Sequence, residues 1–184
     1  MISFGGFFSS DINPLLLAAD AILHFRRANQ DESRKMQLDD FYLGDHRLSM
    51  DDNEVLIGIE IPLRKTANEI FVRSYKQARR RDDSKGIVTA AFQLELERTY
   101  ANDQQWKIVS IRLAFSRMSS KTILAKNTEK QLIGLLWNKQ TLNQAYQLLI
   151  EEMPLDENTL GGLIHLRFVL FQLIPFNVVH LDER

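Results

Sequence analysis

The sequence of 184 residues contains no cysteine. This absence excludes disulfide bonds, a cysteine nucleophile, iron–sulfur ligation and cysteine-based zinc sites within the chain. The histidines, at positions 24, 46, 165 and 180, lack the spacing of metal ligands. The sequence therefore predicts neither a metal centre nor thiol chemistry in this polypeptide.

An excess of one charge and a long apolar run are also lacking. The 23 basic and 24 acidic residues give a net charge of −1, which provides no overall attraction to nucleic acid or to an anionic membrane. The most apolar segment, residues 163–179, is interrupted by His165, Arg167 and Pro175 and is a poor candidate for a membrane span. It is typical of a buried helix, which we expect near 161–174.

The residues that are present have an ordinary globular composition, with 45% apolar and 26% charged side chains, which suits one domain or two small ones. Alternating patterns predict strands near 71–77, 87–97 and 106–115, which together form one antiparallel sheet. Apolar residues at helical spacing predict helices near 127–137 and 140–152.

The N-terminal third begins with a helix-start signature. Asp11 is followed by Asn13 and Pro14, and an acidic cap with a proline in the first turn is typical of a helix N-terminus. By itself this pattern favours a plain N-cap role for Asp11. Strands are expected at 22–25 and 54–61, with a polar connection at 26–34 between them.

Residues 71–92, FVRSYKQARRRDDSKGIVTAAF, change from a strand pattern to a charged loop and back to an apolar run. One interpretation of the loop is a solvated turn, in which each exposed ion pair contributes about 0–1 kcal/mol. The alternative is a loop that sets the electric field over a bound cofactor, because arginine carries a fixed charge on a planar fork.

The stretch YKQARRRDD followed by IVTAAF resembles the flavin-domain segment of the xanthine dehydrogenases, molybdenum hydroxylases related to the aldehyde oxidases. SSDINPLLLAADAIL and EVLIGIEIP are similar to two other segments of that domain, and Gly161-Gly162 with Arg167 is similar to a further one. The resemblance runs from Gly5 to about Phe171. The xanthine dehydrogenase branch is favoured, because aldehyde oxidases look less charged in the loop.

The resemblance implies an α+β fold, in which a three-stranded antiparallel sheet with helices packed on one face forms the C-terminal subdomain of the flavin domain. We place this subdomain at residues 63–184. Residues 1–62 would be a C-terminal remnant of the preceding FAD-binding subdomain.

Three positions are matched by the resemblance to FAD contacts: Asp11, Leu56 and Lys76. A lysine near a flavin is physically reasonable, since a cation stabilises an anionic reduced ring or pairs with a phosphate. In the xanthine dehydrogenases a charged loop lies near the flavin and influences the approach of NAD. The residues that match this loop are Arg80, Arg81, Asp82 and Asp83. The sequence assigns no catalytic residue and no metal ligand.

The implied function is that of the FAD-binding portion of a xanthine-dehydrogenase-like oxidoreductase, which passes electrons from iron–sulfur clusters through FAD to NAD or oxygen. Molybdopterin and the 2Fe–2S clusters would lie in other domains of a larger, cytoplasmic or peroxisomal enzyme, and a homodimer is compatible with it.

The chain also departs from the family pattern. It has no glycine-containing pyrophosphate segment, its loop before SDINP is shorter, and Ser116-Arg117 stands where the family has a Gly-Gly pair. We therefore expect weak or no FAD binding and no activity from this chain alone. The alternative function is a non-catalytic fragment or interaction domain that retains the fold without binding flavin.

Overall fold

The computed structural model describes residues 10–28, 32–44, 47–63, 65–78, 80, 86–99, 105–119 and 121–154. Its elements in chain order are α1 (Asn13–Ala18), β1 (Ile22–Arg27), β2 (Ser33–Gln37), α2 (Leu38–Phe41), β3 (Tyr42–Gly44), β4 (Arg47–Leu48), β5 (Glu54–Glu60), β6 (Glu69–Ala78), β7 (Gly86–Arg98), β8 (Trp106–Ser116), β9 (Ile123–Leu124), α3 (Lys126–Leu132) and α4 (Lys139–Glu152).

The larger sheet has the order β6-β7-β8-β9, and all of its strand pairs are antiparallel. The three long strands confirm the predicted antiparallel sheet, and β9 adds a short fourth strand beside β8. The alternating pattern succeeds here because side chains on a strand point to opposite faces in turn. The α+β fold class is thereby confirmed.

One face of the larger sheet packs against α3 and α4. Phe92 on β7 contacts the ring of Phe115 on β8 at 5.6 Å between centroids, and Leu149 of α4 belongs to the same buried cluster. Burying apolar side chains of this size stabilises the fold by roughly 1.5–3 kcal/mol each. The expectation of helices on one face of the sheet is confirmed for the two of them that the structure describes, α3 and α4. Across the described ranges, no helix is both long and apolar enough to cross a bilayer.

The opposite face of the sheet receives α1. Ala91 and Ala114 are fully buried there, and their small side chains let the helix approach closely. Arg112 on β8 donates from Nε and Nη2 to the carbonyl oxygen of Leu17, at 3.2 and 3.0 Å. Its guanidinium also pairs with Asp20 at 3.1 Å, so one side chain fastens the end of α1 to the sheet.

A smaller three-stranded sheet of order β2-β1-β5 lies before the larger one in the chain. The strand predicted at 54–61 corresponds to β5. The polar connection predicted at 26–34 was wrong at both ends, because β1 continues to Arg27 and β2 begins at Ser33 and pairs with β1. Arg34 explains why this segment forms a strand and not a loop. Its guanidinium binds the buried carboxylate of Glu54 and thereby links β2 to β5.

The helix predicted at 127–137 ends early, at Leu132. Gly134 adopts φ of 88°, a left-handed conformation that glycine tolerates at a helix end. The following residues run beside β8, where Gly134 N donates to Ile108 O at 2.8 Å and Trp137 N to Trp106 O at 2.7 Å. The helix predicted at 140–152 is confirmed as α4. The helix predicted at 161–174 lies outside the described residues.

Candidate functional site

Two residues that were matched to FAD contacts from separate motifs meet in the structure. Asp11 precedes α1, and Lys76 lies near the end of β6. The ammonium Nζ of Lys76 is 2.6 Å from Oδ2 of Asp11, and the two side chains are 42% and 36% exposed. The ion pair is therefore reachable from solvent and from a ligand.

The interpretation of Asp11 as an N-cap is wrong. Ile12 occupies the N-cap position of α1 and makes no side-chain cap, although Pro14 does lie in the first turn. The carboxylate of Asp11 instead turns toward the larger sheet, where Thr89 Oγ1 donates to its Oδ1 at 3.0 Å. Both carboxylate oxygens are thus engaged by residues of β6 and β7, which explains why no oxygen caps the helix.

Strand register explains how these groups come together. Lys76 pairs with Thr89, and Thr89 pairs with Ser116 on the next strand. Directly opposed residues of an antiparallel pair project from the same face, so the three side chains form a polar row across β6, β7 and β8. Thr89 is 3% exposed and Ser116 is 1% exposed, so the row is open only at its Lys76 end.

Gly86, the first residue of β7, leaves the space that this cluster needs. A Cβ atom at this position would lie 2.5 Å from Thr89 Oγ1 and 3.1 Å from Asp11 Oδ1. The first distance is shorter than any that real Cβ atoms adopt, so a larger residue would displace the Thr89 hydroxyl. Glycine is required here for the close approach of the neighbouring side chains.

The predicted charged loop joins the ends of the two strands that carry the cluster. Ala78, the last residue of β6, pairs with Gly86, so residues 79–85 connect the strands beside Lys76 and Thr89. Arg80 is exposed. The remaining predicted loop residues lie outside the described residues: Arg81, Asp82 and Asp83.

Leu56 lies on β5, in the smaller sheet, where it pairs with Phe25. Its side chain is half-buried and packs against the apolar core of that region. The structure thus brings Asp11 and Lys76 together, whereas Leu56 belongs to a separate sheet. Its contact with FAD stays a prediction.

Sequence reasoning missed Thr89 and Gly86, because both stood within or beside what was interpreted as an apolar run. One signal was present, since a polar residue in a buried strand requires a partner. The identity of that partner was not predictable, because a regular hairpin with Ala78 opposite Gly86 would pair Lys76 with Val88, and the register shifts between Gln77 and Ala78.

A second ion pair, with a buried carboxylate, lies at the start of β5. The Arg34 guanidinium contacts Glu54 at 2.9 and 2.6 Å. This hydrogen-bonded pair is the main reason that the pKa of Glu54 falls to about 2. On α3, burial raises the pKa of Glu129, which accepts from Leu113 N at 2.7 Å. Both groups hold elements together, and within the described residues no acidic or histidine cluster could hold a metal ion.

Two models of known protein families match this chain. The model of the CO dehydrogenase flavoprotein C-terminal domain matches residues 73–179. The chain belongs to this family. The preceding residues 5–64 match the FAD binding domain in molybdopterin dehydrogenase, so FAD is the cofactor that the resemblance indicates. These matches confirm the molybdenum hydroxylase resemblance.

Curated relatives of the family agree with this assignment. Xanthine dehydrogenase of Dictyostelium discoideum is 34% identical over 166 residues, which are 86% of this chain and 12% of the relative. Xanthine dehydrogenase/oxidase of Gallus gallus is 31% identical over 162 residues, which are 88% of this chain and 11% of the relative. The chain therefore spans only about an eighth of these relatives.

Solved structures share the fold. Carbon monoxide dehydrogenase from Hydrogenophaga pseudoflava has a TM-score of 0.71 at 19% identity, and the match covers 90% of this chain and 53% of that one. Quinoline 2-oxidoreductase from Pseudomonas putida 86 has a TM-score of 0.69 at 22% identity, with 95% and 56% covered. At these identities the likeness establishes the fold alone.

The described residues are chemically suited to FAD. Its phosphates and its reduced ring carry negative charge, which the Lys76 ammonium can neutralise, while its hydroxyl groups can donate to the carboxylate of Asp11. Both side chains are partly exposed. Because Gly86 has no side chain, the space beside the Thr89 hydroxyl and the Asp11 carboxylate stays unoccupied. Asp11 and Lys76 thus supply the charge and the hydrogen-bonding groups that complement FAD.

Proposed function

We propose that this chain is the FAD-binding portion of a xanthine-dehydrogenase-like oxidoreductase and that Asp11, Leu56 and Lys76 contact the cofactor. The observation that supports this best is the ion pair of 2.6 Å between Asp11 and Lys76. The two residues were matched to FAD contacts from separate motifs, and they meet at one partly exposed point, as two contacts to a single ligand require.

The exposure of the Asp11–Lys76 pair suits a role in cofactor binding better than a role in fold stability. An ion pair with this exposure contributes about 0–1 kcal/mol to folding. A ligand that excludes water from the pair would strengthen every charge interaction within it, because Coulomb energies grow as the local dielectric constant falls. The same side chains are therefore expected to contribute more free energy to the binding of an anionic cofactor than to the stability of the free protein.

In the proposed enzyme, FAD accepts electrons from iron–sulfur clusters and delivers them to NAD or oxygen. The molybdopterin and 2Fe–2S centres would belong to other domains, consistent with a chain that spans 11–12% of its curated relatives. We further propose a cytoplasmic or peroxisomal location, a homodimeric parent enzyme, and a domain boundary between residues 62 and 63.

The loop after β6 would act on the electron acceptor. Arg80 lies four residues beyond Lys76, which is no more than about 13 Å along the chain at about 3.3 Å per residue. The loop charges would therefore act on a flavin at Lys76 from within about two Debye lengths, each of about 8–10 Å, and most strongly at low salt. NAD carries a negatively charged pyrophosphate. Arg80 and Arg81 would favour its approach, and Asp82 and Asp83 would oppose it.

Flavin binding tests the proposal. The chain, supplemented with the glycine-rich segment of a xanthine dehydrogenase relative as a separate polypeptide, is titrated with FAD and followed by flavin fluorescence. Asp11→Asn and Lys76→Gln should each weaken binding about tenfold, as expected for one lost contact to a charged group. Lys35→Gln is the matched control, because Lys35 forms an exposed strand ion pair with Glu60 at 3.1 Å in the other sheet. Equal affinities for all four proteins would refute the proposal.

The loop has its own test, in a full-length relative into which residues 79–85 are transplanted. Asp83→Asn should lower the KM for NAD and Arg81→Ala should raise it. Each change should be about fivefold at low salt, equivalent to about 1 kcal/mol, and smaller at high salt. If neither variant differs from its parent at low salt, the loop is a solvated turn.

The second candidate function is a non-catalytic interaction domain. The observation in its favour is the replacement of the family's Gly-Gly pair by Ser116 and Arg117, where Arg117 adopts φ of 70°. A chain that unfolds cooperatively but gives no fluorescence change at millimolar FAD, with or without the added segment, would support this function instead.

A further inference from the structure

We propose that Thr89 is a positioning residue, which orients the carboxylate of Asp11 so that it holds Lys76 in place for the cofactor. This inference rests on the proposed function, since the cofactor that benefits is FAD. Neither the motif matches nor the family comparisons assign any role to Thr89. The argument starts from the contrast between a buried hydroxyl and an exposed ion pair.

Exposed ion pairs are poorly fixed by themselves. Asp11 and Lys76 are both more than one third exposed, and two long or mobile side chains in water lose much of their attraction to solvent screening and side-chain entropy. Without a further contact, the carboxylate of Asp11 could rotate toward the N-terminus of α1 and the ammonium could swing into solvent.

Thr89 supplies that further contact from a rigid base. Its side chain lies on β7, the strand with hydrogen-bonded partners on both sides, and it is 3% exposed. A β-branched residue has few χ1 rotamers, so the direction of its hydroxyl is well defined. Its donation to Asp11 Oδ1 at 3.0 Å leaves Oδ2 directed at Lys76 Nζ.

Gly86 makes this geometry possible. The Cβ atom of any other residue would lie 2.5 Å from Thr89 Oγ1 and would force the hydroxyl away from Asp11. The hairpin thus contributes Lys76 from one strand, Thr89 from the other, and the clearance between them from the residue that ends the loop.

The neighbouring Ser116 provides a matched control. It follows Thr89 in the cross-strand row and is equally buried, but its Oγ makes no hydrogen bond with the described residues. Ser116→Ala therefore removes a buried hydroxyl one strand away without touching Asp11. Thr89→Val removes the donor and keeps the shape of the side chain, and Thr89→Ser restores the donor.

The experiment has two readouts on the full chain. The first is the NMR correlation of the Lys76 ε-methylene, assigned with the Lys76→Arg variant, which reports the surroundings of the ammonium without any cofactor. It should move toward the position of an exposed lysine in Thr89→Val, and should stay near the parent position in Thr89→Ser and Ser116→Ala. The second is FAD titration at up to millimolar concentration in the presence of the added glycine-rich segment, in which Thr89→Val should weaken binding about three- to tenfold and Thr89→Ser should recover it.

The outcomes separate the two proposals. An unchanged Lys76 signal in Thr89→Val overturns the positioning role, whether or not FAD binds. A shifted signal with unchanged FAD affinity overturns it too, because Thr89 would then orient the ion pair without consequence for the cofactor. If the parent binds no FAD even with the added glycine-rich segment, the proposed function fails instead, and the inference fails with it as a statement about the cofactor.

Discussion

Replacing Glu54 by glutamine should remove a pH-dependent part of the stability of the fold. The Glu54 side chain is 1% exposed. It accepts from Arg34 Nε at 2.9 Å and Nη2 at 2.6 Å, and from Asp51 N at 3.0 Å. Arg27 adds a longer contact at 3.6 Å. Glutamine keeps the size of the side chain and loses the charge that these donors stabilise.

The magnitude follows from the pKa of Glu54, which lies at about 2 in the folded chain against an ordinary value of 4.5. Each pKa unit corresponds to about 1.4 kcal/mol, so the upper bound on the contribution is about 3.4 kcal/mol. Arg34 is 38% exposed, and solvent screening reduces the bound, so we expect about 2 kcal/mol. Because the folded pKa is the lower one, this stability is present above about pH 4.5 and is lost as the pH falls toward 2.

Urea unfolding at a series of pH values measures this contribution. At pH 7 the free energy of unfolding of Glu54→Gln should be about 2 kcal/mol lower than that of the parent, and the difference should fall below about 1 kcal/mol by pH 2.5. Glu97→Gln, which changes an exposed carboxylate at the end of β7, should stay within about 0.5 kcal/mol of the parent. Parallel stability curves for the parent and Glu54→Gln between pH 5 and 2.5 would refute the reasoning.

Three further substitutions are expected to change stability, each measurable by urea unfolding. Arg112→Met should cost about 1–3 kcal/mol, since the carbonyl of Leu17 loses two donated hydrogen bonds; a neutral result would mean that α1 is held by apolar contacts alone. Arg117→Gly should be more stable than Arg117→Ala by about 1 kcal/mol, because φ is 70° there and both variants remove the same charge; equal stabilities would count against strain at this residue. Asn138→Ala should cost about 1 kcal/mol, since Asn138 caps α4 by accepting from Thr141 N at 2.9 Å; an unchanged stability would show that water replaces the cap.

Strands β7 and β8 were predictable because each carries an apolar face over many residues. In β7, Phe92 and Leu94 alternate with Gln93 and Glu95, and the chain returns in β8 with the same period. The end of α3 was not predictable from periodicity. Leu135 continues the apolar helical pattern, but Gly134 and the open edge of β8 offer backbone hydrogen bonds that a continued helix would forgo.

The candidate site was predictable only in part, for a similar reason. Motif resemblance matched Asp11 and Lys76 one at a time, and nothing in a motif states that two residues touch. The N-cap interpretation of Asp11 considered only the local helix, where carboxylates commonly cap. The contact with Thr89 depends on strand register and on the space left by Gly86, which are properties of the folded hairpin.

Two of the charged clusters in the described part of the chain allow the proposed binding role to be tested apart from stability. In the first cluster the carboxylate of Glu54 is buried, and its pairing with Arg34 links β2 to β5. In the second cluster the side chains of Asp11 and Lys76 are both partly exposed to solvent. If the second cluster served only the fold, it would be a weak device, because exposed pairs contribute about 0–1 kcal/mol. A chain that retained only a structural role would therefore tolerate Asp11→Asn with little change in unfolding free energy and show no response to FAD. A binding chain would show the same small change in unfolding free energy together with about a tenfold loss of FAD affinity.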